Sequence, residues 1–529
     1  MSVLLHNLIE RSADKNSSAE ALKFKNKSLN YADLAQYIER IARGLNTIGL
    51  IPRERVAIYL PKYFETVISF FAISKANGVF VPINPILKPQ QVAHILRDSN
   101  ARILITGKSR LSLIENELAN CHDLQIIILI DSEEKITKHF STLNIVAWQN
   151  LLDTSDKKIA QKTIDADIVS ILYTSGSTGK PKGVILSHRN MVTGAHSVAQ
   201  YLNNQSNDRL LAVLPFSFDY GISQLTTAFN VGASTVLMDY LLPRDVIRMA
   251  TRENITGLAA VPPLWIQLAQ LEWPKEVQDS MRYITNSGGA MPISTLRKLQ
   301  TALPNTQIFL MYGLTEAFRS TYLPPEELDR RPDSMGKAIP NAEIMIVRED
   351  GSPCAPGEPG ELVHRGSLVA LGYWNDPDKT DERFKPVPSP NPAIPLTEIA
   401  VWSGDIVKMD EEGYLYFISR KDEMIKSSGY RISPTEVEEV IYTSGLVEEV
   451  VALGIPHSEL GQTILVIATA KRGSSIDGEG LINYCKQELP GFMVPTDVIE
   501  RDSLPRNPNG KIDRKLLASE FSDYFNNMK

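Results

Sequence analysis

The chain has 529 residues, 43% of them hydrophobic and 22% charged, with a formal net charge of −7. A length of this order predicts about three to four packed units with large cores, and the composition excludes global disorder. The acidic balance argues against nucleic acid as the main partner, because binding to a phosphate backbone calls for clustered positive charge.

Cys121, Cys354 and Cys485 are scattered and odd in number, which suggests reduced thiols rather than a disulfide framework. The start, Met1-Ser2-Val3-Leu4-Leu5-His6, has no basic region followed by an apolar stretch, so no secretory signal is expected. No apolar run approaches the length of a bilayer span. The expectation is a soluble protein of the cytoplasm.

Along the first 165 or so residues, helical and strand patterns alternate. Tyr31, Leu34, Ala35, Ile38, Ile41, Ala42 and Leu45 recur at helical spacing, and residues 56–60 then read as a buried strand. Another helix is predicted over 63–77, with strands at 79–81, 102–105 and 124–130. That rhythm predicts an α/β fold with parallel sheets covered by helices. Between strands predicted at 168–173 and 183–186 lie Thr174, Ser175, Gly176, Ser177, Thr178, Gly179, Lys180, Pro181 and Lys182. Glycines let backbone N–H groups approach a ligand, and hydroxyls and lysines add donors and charge, so the segment suits a polyphosphate. It is not a Walker loop, because Gly179-Lys180 runs into proline and a strand instead of Ser/Thr and a helix. A phosphate-gripping hairpin fits better.

The α/β pattern continues to about residue 335. Residues 336–419 change to short strands and Pro/Gly-rich turns, which predicts a small β unit, with an exposed loop over 385–395. A second shift follows Arg420. Ser433-Pro434-Thr435-Glu436 opens a helix with a Ser N-cap, Pro at the first position and Glu placed for a capping box. The helix would bury Val437, Val440 and Ile441. Strands at 447–453 and 464–470 and a helix at 481–489 complete an α+β unit. The expected division is 1–421 and 422–529, with the boundary near Lys421 and Asp422.

Four further segments carry chemistry. Met311-Tyr312-Gly313-Leu314-Thr315-Glu316 follows a strand at 307–310, so Thr315 and Glu316 fall at a strand end, where α/β sheets bind ligands. A carboxylate near a phosphate loop suits Mg²⁺, which takes one or two carboxylates plus phosphate oxygens. Trp402-Ser403-Gly404-Asp405 places an acid after a short strand, where it could accept hydrogen bonds from ribose. Asn286-Ser287-Gly288-Gly289-Ala290 is a small-residue turn against which a flat base could lie. Asn507-Pro508-Asn509-Gly510-Lys511 puts a lysine just past an Asn-Gly turn. Singly, Asp405 and Lys511 read as a surface acid and a solvated lysine; together, in this order, the segments point to nucleotide chemistry.

With these motifs, and with Gly372-Tyr373-Trp374-Asn375, Thr380, Phe384 and the run from Arg420 to Arg431, nearly the whole chain resembles the adenylate-forming superfamily. That superfamily contains acyl-CoA synthetases, adenylation domains of nonribosomal peptide synthesis and firefly luciferase. The resemblance implies a large N-terminal domain of two sheet–helix layers plus a small β-barrel, and a mobile C-terminal domain. It implies that residues 174–182 hold the β- and γ-phosphates of ATP, that Thr315 contacts the α-phosphate and that Glu316 holds Mg²⁺. Asp405 would bind ribose, with Arg420 near the nucleotide, and Gly288, Gly289, Ala290 and Tyr312 would enclose adenine, beside Met311 and Gly313. Lys511 would bridge the substrate carboxylate and the α-phosphate. Asp422 corresponds to the hinge, and Gly429 to the passage of pantetheine.

The segments 214–221 and 312–323 look most similar to free-standing proline-activating ligases that load a separate peptidyl carrier protein, and also to a set of acyl-CoA ligases. Asp219 is similar in position to the aspartate that binds a substrate α-amino group; the bland alternative pairs it with a protein cation, Arg319 being a candidate. A buried carboxylate needs such a partner. Phe218, Tyr220, Ser223, Ala260, Thr285, Ser287, Met311, Arg319 and Ser320 complete the implied pocket. Residues 515–529 leave no room for a fused carrier domain, so the thiol acceptor, CoA or a carrier protein, is expected in trans. The expected reaction is proline adenylation and thioesterification, with acyl-CoA synthesis from a fatty or other acid as the alternative.

Overall fold

The computed structural model of the protein describes residues 4–131, 143–152, 163–174, 181–291, 293–388, 393–420, 425–471, 473–505 and 512–526. The predicted alternation builds two sheets. The first runs Asn144–Ala147, Ile126–Leu129, Ala101–Thr106, Arg55–Tyr59, Val79–Pro82, Ile168–Thr174 and Lys182–Ser187 in space. Its first six strands are parallel, and the last pair is the expected antiparallel hairpin. Inner strands such as Arg55–Tyr59 are covered on both faces, so they read as continuous apolar runs rather than alternating ones.

The second sheet has nine strands. Arg209–Ala212, Gly257–Ala260, Tyr283–Asn286 and Gln307–Tyr312 form its parallel centre, and Thr321–Leu323 and Lys337–Ala338 extend one edge antiparallel. The helix Phe64–Lys75 is apolar nearly all round and buried over most of its length, as a helix wedged between two sheets must be. Its Phe70 ring meets Phe80 of the first sheet at 5.1 Å and Phe216, past the end of Arg209–Ala212, at 6.2 Å.

The predicted β unit is a half-barrel of Ala342–Val347, Gly360–Gly366, Ile399–Met409, Phe384–Pro386 and Leu415–Arg420. The loop expected over 385–395 starts later: Lys385 and Pro386 pair with Ala400 and Ile399, since a short edge strand accommodates proline. Residues 393–399 are exposed.

The C-terminal unit is a five-stranded sheet with helices Pro434–Thr443 and Gly478–Glu488 on one face and Arg514–Glu520 on the other. Ser433 caps its helix as expected, accepting from the Glu436 N–H at 3.3 Å, and Val437 and Ile441 are buried. The Glu436 carboxylate accepts from Gln91 of the N-terminal part at 2.9 Å. The Lys88 ammonium donates to the carbonyl of Lys486 across the same junction. The expected boundary at Lys421 and Asp422 lies outside the described residues. Among those described, no helix is long and apolar enough to cross a membrane.

Candidate active site

The C-terminal ends of the parallel strands in the nine-stranded sheet open onto a cavity of about 1760 Å³, closed on the opposite side by Gly429, Tyr430 and Phe492 of the C-terminal unit. Strand ends of this kind are where open α/β sheets bind ligands.

One wall is made of turns. Thr174 ends the hairpin's first strand in register with Lys182 and borders the cavity; Ser175, Gly176, Ser177, Thr178, Gly179 and Lys180 lie outside the described residues. Lys182 is half-buried, its ammonium 5.3 Å from the Tyr373 ring, and burial lowers its pKa. Gly288, Gly289 and Ala290 turn away from the strand Tyr283–Asn286, braced by the Asn286 amide donating to the Gly289 carbonyl at 3.0 Å. Met311, Tyr312, Gly313 and Thr315 line the cavity beside them.

Glu316 follows in a single 3₁₀ turn, Thr315–Ala317. The Tyr373 hydroxyl donates to its Oε1 at 2.7 Å, and the Ala370 N–H donates to its carbonyl at 2.8 Å. Among the described residues no group of three or more potential metal ligands occurs. The Glu316 carboxylate is a hard oxygen donor, a chemistry that fits Mg²⁺ drawing its other ligands from phosphate and water.

Asp405 differs from the expectation of an acid after a short strand. It lies fully buried within the eleven-residue strand Ile399–Met409 and accepts from the Tyr312 hydroxyl at 2.6 Å. Gly404, at φ 70°, breaks the strand's alternation, so Ser403, Gly404 and Asp405 are buried in succession. The Arg420 backbone pairs with Asp405.

The other wall is made of side chains. Asp219 opens the helix Asp219–Val231, where a carboxylate is favoured by the helix dipole. It is half-buried rather than buried, and the Thr315 hydroxyl donates to its Oδ1 at 3.3 Å. Arg319 is not its ion-pair partner. The guanidinium lies 4.6 Å from the centre of the Tyr220 ring, and its Nη1 donates to Ser287 Oγ at 3.2 Å.

A γ-turn of the rarer hand sets this course. Phe318 sits at φ 56° and ψ −52°, and the Arg319 N–H donates to the Ala317 carbonyl at 2.6 Å. Such a turn is strained for a residue with a Cβ. Its ring is pressed onto Gly194, where a Cβ would come within 2.4 Å of it.

Phe218, Asp219, Tyr220, Ser287, Met311 and Arg319 thus reach the cavity. Ser223 and Thr285 lie behind Tyr220, whose hydroxyl shares a hydrogen bond of 2.6 Å with Thr285. Ala260 and Ser320 do not reach the wall. Ala260 is packed at the end of its strand, its carbonyl accepting from Trp265 Nε1, and Ser320 Oγ is bound to His364 Nδ1 at 2.9 Å. Burial drives the His364 pKa down to about 3.

From the C-terminal unit, Gly429 sits at φ 81°, where a Cβ would come within 2.8 Å of the Val261 side chain. Only a residue without a Cβ sits this close in that conformation. Next to it, Tyr430 meets Phe218 edge-on at 5.4 Å and stacks on Phe492 at 3.7 Å. Lys511 and Asp422 lie outside the described residues. Tyr430, the Tyr373–Glu316 bond and Lys62 escaped sequence reasoning. The buried Lys62 ammonium donates to the carbonyls of Val213 and Met238, both at 2.8 Å, and to Asp239, tying two strand ends together. Burial lowers its pKa.

The hairpin strand ending at Thr174, the turn at Thr315 and the helix opening at Asp219, roofed by a second unit, surround one cavity at the strand ends. The chain belongs to the AMP-binding enzyme family, whose profile matches residues 9–374, with the AMP-binding enzyme C-terminal domain matching 436–511. It is an AMP-forming ligase of acids and thiols. A long-chain-fatty-acid–CoA ligase of Bacillus subtilis is 28% identical, with 98% of this chain and 94% of the relative covered. Tyrocidine synthase 3 of Brevibacillus parabrevis is 30% identical over 97% of the chain, which spans only 8% of that protein's length. A linear gramicidin synthase of the same organism, 28% identical over 97% of the chain, is likewise far longer, and the chain spans 6% of it. Among solved structures, a double mutant of o-succinylbenzoate CoA synthetase from Bacillus subtilis superposes with a TM-score of 0.82 at 24% identity, covering 97% of this chain and 98% of its own. The amide bond synthetase McbA of Marinactinospora thermotolerans gives 0.85 at 20% identity, covering 98% and 99%. At these identities the two structures speak for the fold.

Proposed function

We propose that the protein activates a small amino acid, L-proline first, as aminoacyl-AMP with release of pyrophosphate. The acyl group then passes to the phosphopantetheine thiol of a separate peptidyl carrier protein. The observation that carries this reading is the placement of Asp219 beside Thr315, which brings a carboxylate for a substrate ammonium next to the residue assigned to the α-phosphate.

In the first half-reaction a substrate carboxylate oxygen bonds to the α-phosphorus, and the bond to pyrophosphate breaks. In the second, the thiol sulfur bonds to the activated carbonyl carbon, AMP leaves and the thiol proton goes to solvent. Residues 174–182 grip the β- and γ-phosphates, Gly288–Ala290 and Tyr312 enclose the base, and Asp405 with Arg420 orients the ribose. Lys511 stabilises the charge that develops between carboxylate and α-phosphate. Mg²⁺ held at Glu316 neutralises phosphate charge when bound. Asp422 is the pivot, and Gly429 borders the passage for the pantetheine arm. We assign residues 1–421 to the adenylation core and 422–529 to the mobile domain.

A second reading, acyl-CoA synthesis, is supported by the Bacillus subtilis ligase, which aligns over nearly its whole length. Pyrophosphate exchange with each proteinogenic amino acid and with carboxylic acids lacking an amine separates the two. Exchange led by proline supports the first; silence with proline and exchange with an amine-free acid overturns it.

A further inference from the structure

Resting on the adenylation reading, we infer that Tyr220 and Arg319 form a fixed floor that restricts this enzyme to short acids, with the Arg319 cation held in that floor by the Tyr220 ring. The Tyr220 ring faces the cavity with its hydroxyl tied to Thr285 at 2.6 Å. Beneath it the Arg319 guanidinium, in a residue only 2% exposed, lies 4.6 Å from the ring centre, a distance at which ring and cation attract. Among the described residues Arg319 has no carboxylate partner, and its Nε is buried without a hydrogen bond. The contact with Tyr220 and the bond to Ser287 therefore hold the charge in place.

Behind the floor, among the described residues, there is almost no open space. The void there measures about 10 Å³, at the limit for one water molecule and too small for an alkyl chain. A second layer seals it: the Tyr201 hydroxyl donates to Met311 Sδ at 3.0 Å, and its ring stacks on Tyr322 at 4.4 Å. An alkyl chain growing past Tyr220 would displace a hydrogen-bonded ring and then press methylenes onto a buried cation that has no counter-charge among the described residues, which is costly. The substrate class is thus a short acid, proline included, in contrast to the long-chain acids named for the 28% identical Bacillus ligase.

The test is acid-dependent pyrophosphate exchange with the full chain on proline, acetate, butyrate, hexanoate, octanoate and palmitate, with succinate as the dicarboxylate of butyrate size. Wild type should act on short acids and fall by about tenfold or more beyond the cut-off, because a single methylene at a closed pocket end decides that much. Octanoate or palmitate matching the best short acid would overturn the floor. Exchange with no acid would instead overturn the adenylation reading.

Tyr220→Ala removes the ring that holds the guanidinium, so succinate should gain over butyrate by about tenfold, the worth of a hydrogen bond to a charged group. Tyr220→Ala combined with Arg319→Leu should lose that gain and favour hexanoate instead. Equal responses of succinate and butyrate in the folded single variant would overturn the part given to the ring-held cation. Should that variant not fold, Tyr220→Phe, which keeps the ring, serves: it must retain the wild-type cut-off, and a shifted cut-off would contradict the floor.

Discussion

On one wall of the cavity, the lining groups belong to turns leaving strand ends, namely Thr174 at the hairpin, Gly288–Ala290 and Thr315. On the other wall they are side chains from distant parts of the chain: Asp219 and Tyr220 on a helix, Ser287 at a strand end, and Arg319 beyond a γ-turn. In the proposed function, the first wall binds chemistry common to every adenylating reaction through local backbone geometry. In the same proposal the second binds what varies between substrates, and its side chains are brought together by tertiary packing. The lesson is that shared chemistry is written in short contiguous motifs, whereas selectivity is a property of contacts between them.

The sharpest way to break this division is to remove the charge aimed at the shared chemistry. Lys511→Ala should lower pyrophosphate exchange by about 10²–10³, the usual loss for one preorganised charge, for every acid alike. Transfer from preformed prolyl-AMP to the thiol should be largely spared; equal loss in both half-reactions would contradict the mobile-domain account. Next in size, Asp219→Asn should raise the KM for proline by about tenfold to a hundredfold, leaving amine-free acids little changed. A uniform loss across both classes would return Asp219 to a structural role.

Between the walls sits the Phe318 turn. Gly194→Ala puts a methyl group into the space of the Phe318 ring and should cost about 1–3 kcal/mol in denaturant unfolding. It should disturb acid selectivity more than ATP binding. The smallest effect concerns His364, held neutral by burial beside Ser320 with its pKa down to about 3. The unfolded chain binds a proton that the folded one refuses, so this contribution is intact above the unfolded pKa of about 6.5. It declines as the pH falls toward 3, by up to about 2 kcal/mol at pH 5. In His364→Gln, unfolding titrations from pH 7 to 5 should be flatter; an unchanged slope would show that His364 is not involved.

The same contrast explains what could be read from the sequence. Apolar runs at Arg55–Tyr59 and Ala101–Thr106 announced parallel strands because burial on both faces leaves no alternation. The hairpin at 168–187 was legible because Pro181 forbids a helix-opening loop. Asp405 was legible as a chemical group but not as a buried strand residue, since its burial depends on the left-handed Gly404 and on Tyr312 from another sheet. Arg319 was legible as a cation near the pocket, whereas its direction depends on the Phe318 turn and on Gly194, 124 positions earlier. Tyr373 reaching Glu316 and Tyr430 reaching Phe218 join separate units of the chain, and no local periodicity encodes such contacts.

Everything turns on whether an acid oxygen attacks the α-phosphorus in this cavity. Incubating the protein with ATP, Mg²⁺, oxygen-18-labelled proline carboxylate and a pantetheine thiol, followed by mass analysis of the products, tests it directly. Label should appear in AMP, with unlabelled pyrophosphate formed alongside. ADP as the nucleotide product, or cleavage of ATP to AMP with the label left out of it whichever acid is offered, would contradict the account.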